Sequence, residues 1–562
     1  MTCDIRIRGA TVIDGSGAPR FTGDVDVAGD RIVAIGRGQG PVRREIDADG
    51  LVLAPGFIDV HTHYDAQLHW DPTASPSSWH GVTTVLCGNC GFTLAPAKPE
   101  DSGWLVRMLS RVEGMSPQAL EQGLDWQGGS FGAFWSSLAP RLGVNAGGYV
   151  GHSALRRHVM GDAGSERAAT DEEVAAMAAL LRQSILEGGI GFSSSQLAMH
   201  LAHDGREVPS NFAAPEELSA LAAVLGDFER MSLEFIPRTF AEGYLPEDRE
   251  VIVDMARKAR CSIELNTLAM LPSNPLSWRQ SMDFAHEAGA QGVRVRPMFA
   301  ANRFDVFFAL GTTFLFDELP AFREVLTSPQ ERKLAMLRDP AMRARLRADL
   351  ANPRAFAPRW EICRLEVSDC PALQPLIGQT VAEIAAARGC DPLDCFLDLS
   401  LDGDLDATFL MRREMSEAEL ASKRAMISDP LLAAGSSDGG AHLVSSVGAD
   451  FTTRLLSDWT PDPLTLEQAV HRITGDQADE HHITQRGYIR EGYFADLVLF
   501  DPARLKVGEA RFVRDFPAES PRLVRDAQGY VMTVINGQIT RENGQDTGAA
   551  AGAWLKGGGL RH

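Results

Sequence analysis

Lysine is nearly missing from this chain: there are six in 562 residues, at Lys98, Lys258, Lys333, Lys423, Lys506 and Lys556. Cationic charge falls to arginine, and Lys plus Arg (54) stays well short of Asp plus Glu (75). The formal charge of −21 argues against nucleic acid or an anionic membrane as a partner. No apolar run approaches the ~20 residues of a membrane span. The opening stretch MTCDIRIRGATVIDG alternates charged and apolar residues and has no signal core. Eight cysteines without a secretory leader read as reduced thiols in a cytoplasm. These absences describe a cytoplasmic protein acting on a small molecule, with a homo-oligomer allowed. What is present is ordinary for a globular chain, 44% hydrophobic and 23% charged, and long enough for one large domain and a smaller one.

Residues 4–36 read as short alternating strands divided by Gly/Asp turns, and the far end repeats that style in YFADLVLFDP (493–502) and GYVMTVINGQITREN (529–543). Neither end has enough strands to stand alone, so the two are expected to pair into one small β-sandwich. Between them apolar runs alternate with helical patterns, as in LGVNAGGYVGH, then DEEVAAMAALLRQSILEGG, then IGFSSS. That alternation predicts a parallel sheet or barrel, and the length suits eight strands with insertions. The fold class is therefore α/β, a TIM-type (β/α)8 barrel with a terminal sandwich. The expected divisions are 1–56 and 488–545 for the sandwich, 57–487 for the barrel, and 546–562 for a tail. A helical and aromatic insertion is expected around 297–360.

Histidine is also sparse, 14 in all, which gives weight to the pair one residue apart in LAPGFIDVHTHYD (53–65). A strand has a period of two, so His61 and His63 project to the same side while Thr62 turns away. Two neighbouring imidazoles are a ready pair of metal ligands; hydrogen-bonded core histidines are the competing reading. TTVLCGNCGF (83–92) is a strand ending in a glycine-rich turn. Its CxxC has no second pair to complete a zinc knuckle and opens no helix, as a redox pair would. Cys90 is thus a ligand candidate and Cys87 core packing. His152 falls just past another short strand, as a functional or a structural histidine. LLAAGSSDGGAHL (431–443) ends an apolar run at Asp438, with His442 four residues on. Asp438 reads as a ligand or general base, or else as a solvated turn residue. The pair His481-His482 reads as a solvated loop.

APGFIDVHTHYD, CGNCGF and GSSDGGAH, in this order and followed by REGYFADLVLFD, resemble the amidohydrolase superfamily. More narrowly they resemble its N-acyl-D-amino-acid deacylases. The resemblance spans nearly the whole chain and implies a TIM-type barrel, a split β-sandwich and a hydrolytic zinc site. It implies that His61, His63, Cys90 and Asp438 surround the metal. The chain departs from the family where histidines are expected at the ends of strands five and six. The corresponding segments RMSLEFIPRTF (230–240) and CSIELNTLAM (261–270) have none, and GGIGFSSSQLAMH lacks the bridging lysine of other relatives. Glu234, Glu264 and Asn266 are the residues on hand to substitute. About one Zn2+ per chain is expected.

Zinc accepts mixed nitrogen, sulfur and oxygen ligands, polarises a carbonyl and activates a water molecule. Asp438 would transfer the proton, and His442 or His152 would donate to the tetrahedral oxyanion. Asp65 is a candidate for fixing a histidine tautomer, or a plain turn residue. VRVRPMFAANRFDVFFALGTTFLFDELPAF (293–322) offers an aromatic surface with arginines. There Arg296, Arg303 and Phe304 are candidate substrate contacts, a guanidinium clamping a carboxylate; the alternative is a structural insertion. The expected function is metal-dependent hydrolysis of a linear amide, foremost an N-acyl amino acid. Hydrolysis or deamination of a cyclic or aromatic amide is the alternative within enzymes, and a metal-poor binding protein is the alternative outside them.

Overall fold

In the computed structural model, which describes residues 3–38, 40–271, 273–302, 305–351, 358–412 and 414–561, the parallel strands follow one another in chain order. Phe57–Thr62, Val82–Cys87 and Asn145–Gly148 form a sheet of three. Val150–Gly151, Gly191–Ser195, Ser232–Ile236, Ile263–Leu268, Val295–Phe299 and Ala433–Ala434 form a sheet of six. Only Tyr149 separates the two sheets along the chain. On the opposite side Thr62 bridges Gly439 in parallel, and the His63 N–H donates to the Gly439 carbonyl at 2.7 Å. Helices such as Asp171–Leu186, Pro215–Leu225, Pro246–Ala259 and Ser277–Ala290 lie between consecutive strands. The first is started by a capping box in which Thr170 and Glu173 satisfy each other's backbone N–H. With helices on the outside, strands such as Phe57–Thr62, Val82–Cys87 and Val295–Phe299 are buried along their whole length.

One interior layer is polar. Ser193, Glu234, Glu264 and Arg296 are register partners on four adjacent strands, so their side chains share a face. Arg296 pairs with Asp476 and Glu480, both at 2.8 Å, from the helix Gly475–Glu480 and its end. Glu264 faces His481 at 3.2 Å. His481 is thereby buried, contrary to the solvated loop expected for it: a carboxylate inside the strand array needs a partner.

Strands from both chain ends share one nine-stranded sheet, in the order Gln545–Asp546, Gln538–Glu542, Tyr530–Ile535, Leu497–Phe500, Val52–Pro55, Cys3–Val12, Phe21–Ala28, Arg31–Gly36, with Val42–Asp47 branching from Cys3–Val12. The branch arises because Cys3–Val12 is ten residues long and shifts register between Ile7 and Ala10. Its first half pairs with Val42–Asp47 and its end with Val52–Pro55. Residues beyond 546 return to the parallel strands, where Trp554 bridges Ala146 and the Leu555 N–H donates to the Ala146 carbonyl at 2.8 Å.

A separate apolar cluster, including Phe308, Phe316, Phe322, Phe396 and Phe409, fills a unit built on the antiparallel strands Asp305–Phe308, Thr408–Arg412 and Cys363–Val367. The aromatic stretch read as a substrate surface thus places Phe308 and Phe316 in a core of their own. The helical part of the insertion expected around 297–360 includes Gln330–Arg338 and Pro340–Asp349, where Asp339 caps the second helix ahead of Pro340. Among the described residues no helix is long and apolar enough to cross a membrane.

Candidate metal centre

His61 and His63 lie at the end of the strand Phe57–Thr62 and just beyond it, with side chains 0% and 2% exposed. Cys90 reaches them from the turn after Val82–Cys87. Its backbone is left-handed (φ 57°), between Gly88 (φ 80°) and Gly91 (φ 79°), and the loop is held by protein contacts. The Cys90 N–H donates to Glu234 Oε2 at 2.8 Å and the Gly91 N–H to Ser193 Oγ at 3.1 Å. Asp438 arrives from the loop after Ala433–Ala434. Ser436, Asp438 and His442 are all left-handed there, a conformation that costs free energy for non-glycine residues and gathers at functional sites. Ser437 Oγ ties this loop to the first strand, donating to Asp59 Oδ1 and the His61 carbonyl, both at 2.8 Å.

The His61 Nε2, His63 Nε2 and Cys90 Sγ cluster is compact, its ligand atoms within 4.8 Å of one another. Cys90 Sγ is 3.4 Å from His61 Nε2 and 4.0 Å from His63 Nε2. Asp438 Oδ1 is 3.1 Å and 3.8 Å from the same two nitrogens. Zinc bonds to N, O and S at tetrahedral angles need donor-to-donor edges of roughly 3.3–3.7 Å. The Cys90–His61 edge falls in that range, the Cys90–His63 and Asp438–His63 edges are slightly longer and the Asp438–His61 edge is slightly shorter. Electrostatics point the same way: Asn266 Nδ2, 2.8 Å from His61 Nε2, makes that nitrogen an acceptor. An acceptor nitrogen 3.1 Å from the Asp438 carboxylate needs a cation or proton between them. Burial alone would raise the Asp438 pKa, but contacts with His61 and His63 outweigh it and hold the acid well below its ordinary range. Burial and Glu234 push the Cys90 thiol well above its range, and a bound cation would reverse that.

Glu113 is the residue the sequence reading did not see. It follows the helix Pro99–Val112, is 2% exposed, and sits 3.0 Å from His63 Nδ1. A carboxylate on the remote nitrogen of a ligating histidine fixes its tautomer and raises its basicity. Asp65, the expected candidate for that role, instead accepts the Gly88 N–H at 3.0 Å. His200 was missed as well: it lies beyond Gly191–Ser195, its Nδ1 bonded to Ser195 Oγ at 2.9 Å and its ring 5.1 Å from Phe92. Burial holds it neutral, with a pKa of about 4.

The remaining expectations divide. His442 lies in the Asp438 loop, its N–H donating to the Glu113 carbonyl at 2.6 Å and its ring stacked 4.8 Å from Phe314. His152 does not face the cluster with a free nitrogen. It opens the helix His152–Met160 with Nδ1 on Ser194 Oγ and Nε2 on Glu217, each at 2.8 Å, so its ring has no donor left for a substrate. Arg296 is 0% exposed in the carboxylate layer, where its charge is neutralised, and this removes it as a clamp. Arg303 and Phe304 lie outside the described residues. A cavity of about 1290 Å³ has Arg107, Gly114, Met115, Trp126, Val444 and Phe512 on its walls, Gly114 following Glu113 in the chain.

The amidohydrolase family model matches residues 44–541. The chain belongs to the amidohydrolase family. This amidohydrolase is 29% identical over 559 residues to a D-aminoacylase from Alcaligenes xylosoxydans xylosoxydans, covering 98% of this chain and 97% of that one. A solved D-aminoacylase, described in terms of a binuclear metal centre with one-metal activation and second-metal attenuation, superposes with a TM-score of 0.68. It is 27% identical and covers 99% of this chain and 100% of its own. The N-acyl-D-glutamate deacylase of Bordetella bronchiseptica, solved with zinc and a phosphonate mimic of the tetrahedral intermediate, gives 0.68 at 25% identity with the same coverage. The amidohydrolase described here is D-aminoacylase-like, of the enzyme class acting on carbon–nitrogen bonds other than peptide bonds.

Proposed function

We propose that this amidohydrolase cleaves the linear amide bond of an N-acyl amino acid, with one zinc ion per chain held by His61, His63 and Cys90 and with Asp438 moving the proton. The observation that carries the reading is the convergence of ligand atoms of His61, His63 and Cys90 within 4.8 Å of one another, with Asp438 Oδ1 bordering both imidazoles. Zinc bound there would supply a Lewis acid for the scissile carbonyl and lower the pKa of water. Asp438 suits proton transfer because its side chain is 35% exposed where the imidazoles are closed off. It takes a proton from water and passes it to the leaving nitrogen. His442, held against Phe314, donates a hydrogen bond to the substrate. Arg107, on the cavity wall with its Nε bonded to His203 Nε2 at 3.3 Å, replaces Arg296 as the guanidinium for a substrate carboxylate.

The same reading takes the nine parallel segments, with Asn145–Gly148 and Val150–Gly151 counted as one strand across Tyr149, as a (β/α)8 barrel carrying a β domain from residues 1–56 and 488–545, in a cytoplasmic protein. A metal-poor binding protein is disfavoured by the chemistry of the cluster, since two buried imidazoles and a buried thiol with ligand atoms within 4.8 Å of one another make a ready metal site. The test is amine release from a panel of N-acetyl D- and L-amino acids by the zinc-loaded protein and by Asp438→Asn. We expect turnover of at least one member by wild type, a fall of ~10²–10⁴ in the variant, and zinc retained in both. Failure to release any amine, or an Asn variant as active as wild type, would contradict the assignment.

A further inference from the structure

Asn266 stands on the parallel strand Ile263–Leu268, in contact with the ligand cluster. Its amide nitrogen is 2.8 Å from His61 Nε2. Its amide oxygen points elsewhere, accepting from Ser436 Oγ at 2.6 Å, and Ser436 Oγ is in turn engaged by Thr267 Oγ1. The side chain is 5% exposed. Ser436 from the loop after Ala433–Ala434, itself held by Thr267 of the Asn266 strand, therefore orients the amide, oxygen toward Ser436 and NH2 toward the cluster.

We propose that Asn266 is a hydrogen-bond donor to the scissile carbonyl oxygen rather than a metal ligand, with Ser436 as its positioning residue. The proposal rests on the amide-hydrolase reading above. Two arguments carry it. First, the oxygen that would have to ligate a metal is already bonded to Ser436, and zinc takes thiolate, imidazole and carboxylate donors, which His61, His63, Cys90 and Asp438 provide. Second, when His61 Nε2 gives its lone pair to a metal, the Asn266 N–H loses its acceptor and is free to bond another oxygen beside the cluster. A carbonyl oxygen gains negative charge as water adds to its carbon, so a donor fixed in advance binds it more tightly at that stage than in the ground state. His152 was expected to serve this oxyanion and is committed to Ser194 and Glu217. Asn266 has the contact that His152 lacks.

The test separates zinc affinity from affinity for a tetrahedral oxyanion. Zinc affinity is read by competition with a chelator. Oxyanion affinity is read by calorimetric titration of methylphosphonate into the zinc-loaded full-length protein, a probe that presupposes no amino-acid side chain. For Asn266→Ala we expect zinc affinity within about threefold of wild type, methylphosphonate binding weaker by at least tenfold, and turnover down by ~10²–10³, the usual effect of deleting such a donor. Asn266→Asp, which keeps the shape but cannot donate, should bind zinc at least as well and methylphosphonate no better than the Ala variant. Ser436→Ala, with the amide intact but unheld, should lose several-fold in methylphosphonate affinity alone. A tenfold or greater loss of zinc affinity in Asn266→Ala would make Asn266 a ligand and overturn the proposal while leaving the hydrolase reading standing. Equal methylphosphonate binding by wild type and the Asn266 variants, or none by wild type, would also overturn it. The hydrolase reading fails separately, if zinc-loaded wild type releases no amine from any N-acyl amino acid.

Discussion

Glu113 shows how much a site depends on residues without a motif. It is aligned on His63 Nδ1 at 3.0 Å, and its backbone carbonyl receives the His442 N–H, so one residue connects a histidine of the cluster to the loop that carries Asp438. Glu113→Gln keeps the shape and removes the charge. Zinc affinity should fall by ~10–100-fold, the usual consequence of losing such a partner, as measured by chelator competition; an unchanged affinity would mean that His63 is oriented by its strand alone. In the sequence, His61 and His63 were visible because a period of two puts them together, and Cys90 and Asp438 because glycines mark where their loops turn back. Glu113 was not visible, because it follows an ordinary amphipathic helix and its partner lies 50 positions away. His152 misled for the same reason: a histidine after a strand looks alike whether it meets a metal or, as here, Glu217 65 residues on.

At the scale of elements, the parallel strands were legible in their alternation with helices, but the chemistry of their interior was not. Register places Glu264 beside Arg296, and no local pattern announces that Asp476 and Glu480 will close on the same guanidinium. Reading Arg296 with the phenylalanines that follow it made it look like part of a loop. In fact it lies within the strand Val295–Phe299, and of the phenylalanines that follow it Phe308 and Phe316 turn away into a second core while Phe314 stacks on His442. Removing one member of a buried ionic cluster leaves the others uncompensated and costs about 3–5 kcal/mol. Arg296→Met should therefore lower the urea midpoint substantially while KM of the folded protein stays near wild type. A raised KM with unchanged stability would restore the substrate role expected from sequence.

Across the whole molecule, polar junctions fasten the parallel strands to the terminal sheet. Asn145 Nδ2 donates to Asp496 Oδ2 at 2.9 Å, and Asn536 Nδ2 to Asn145 Oδ1 at the same distance. His80 bonds Thr453 Oγ1 at 2.7 Å, and Thr453 Oγ1 bonds the Tyr530 hydroxyl at 2.8 Å. Burial, the largest influence on His80, brings its pKa down to about 4. The unfolded chain therefore binds a proton there below pH ~6.5 that the folded protein refuses, and stability is lost as pH falls toward 4. Comparing urea unfolding of wild type and His80→Asn isolates that contribution. The advantage of wild type should grow from pH ~4 to ~6.5 and then level off, whereas a pH-independent difference would mean that His80 is not held neutral.

In the proposed function one zinc ion, gathered by His61, His63 and Cys90 with Asp438 beside it, makes this amidohydrolase active on an N-acyl amino acid. The most direct measurement adds zinc stepwise to chelator-treated protein while following amine release from its best N-acetyl amino acid. Activity should be lost on chelation, return in proportion to added zinc, and reach its maximum at about one equivalent per chain. Activity that survives complete metal removal, or that appears only with the second equivalent, would exclude a single-zinc enzyme.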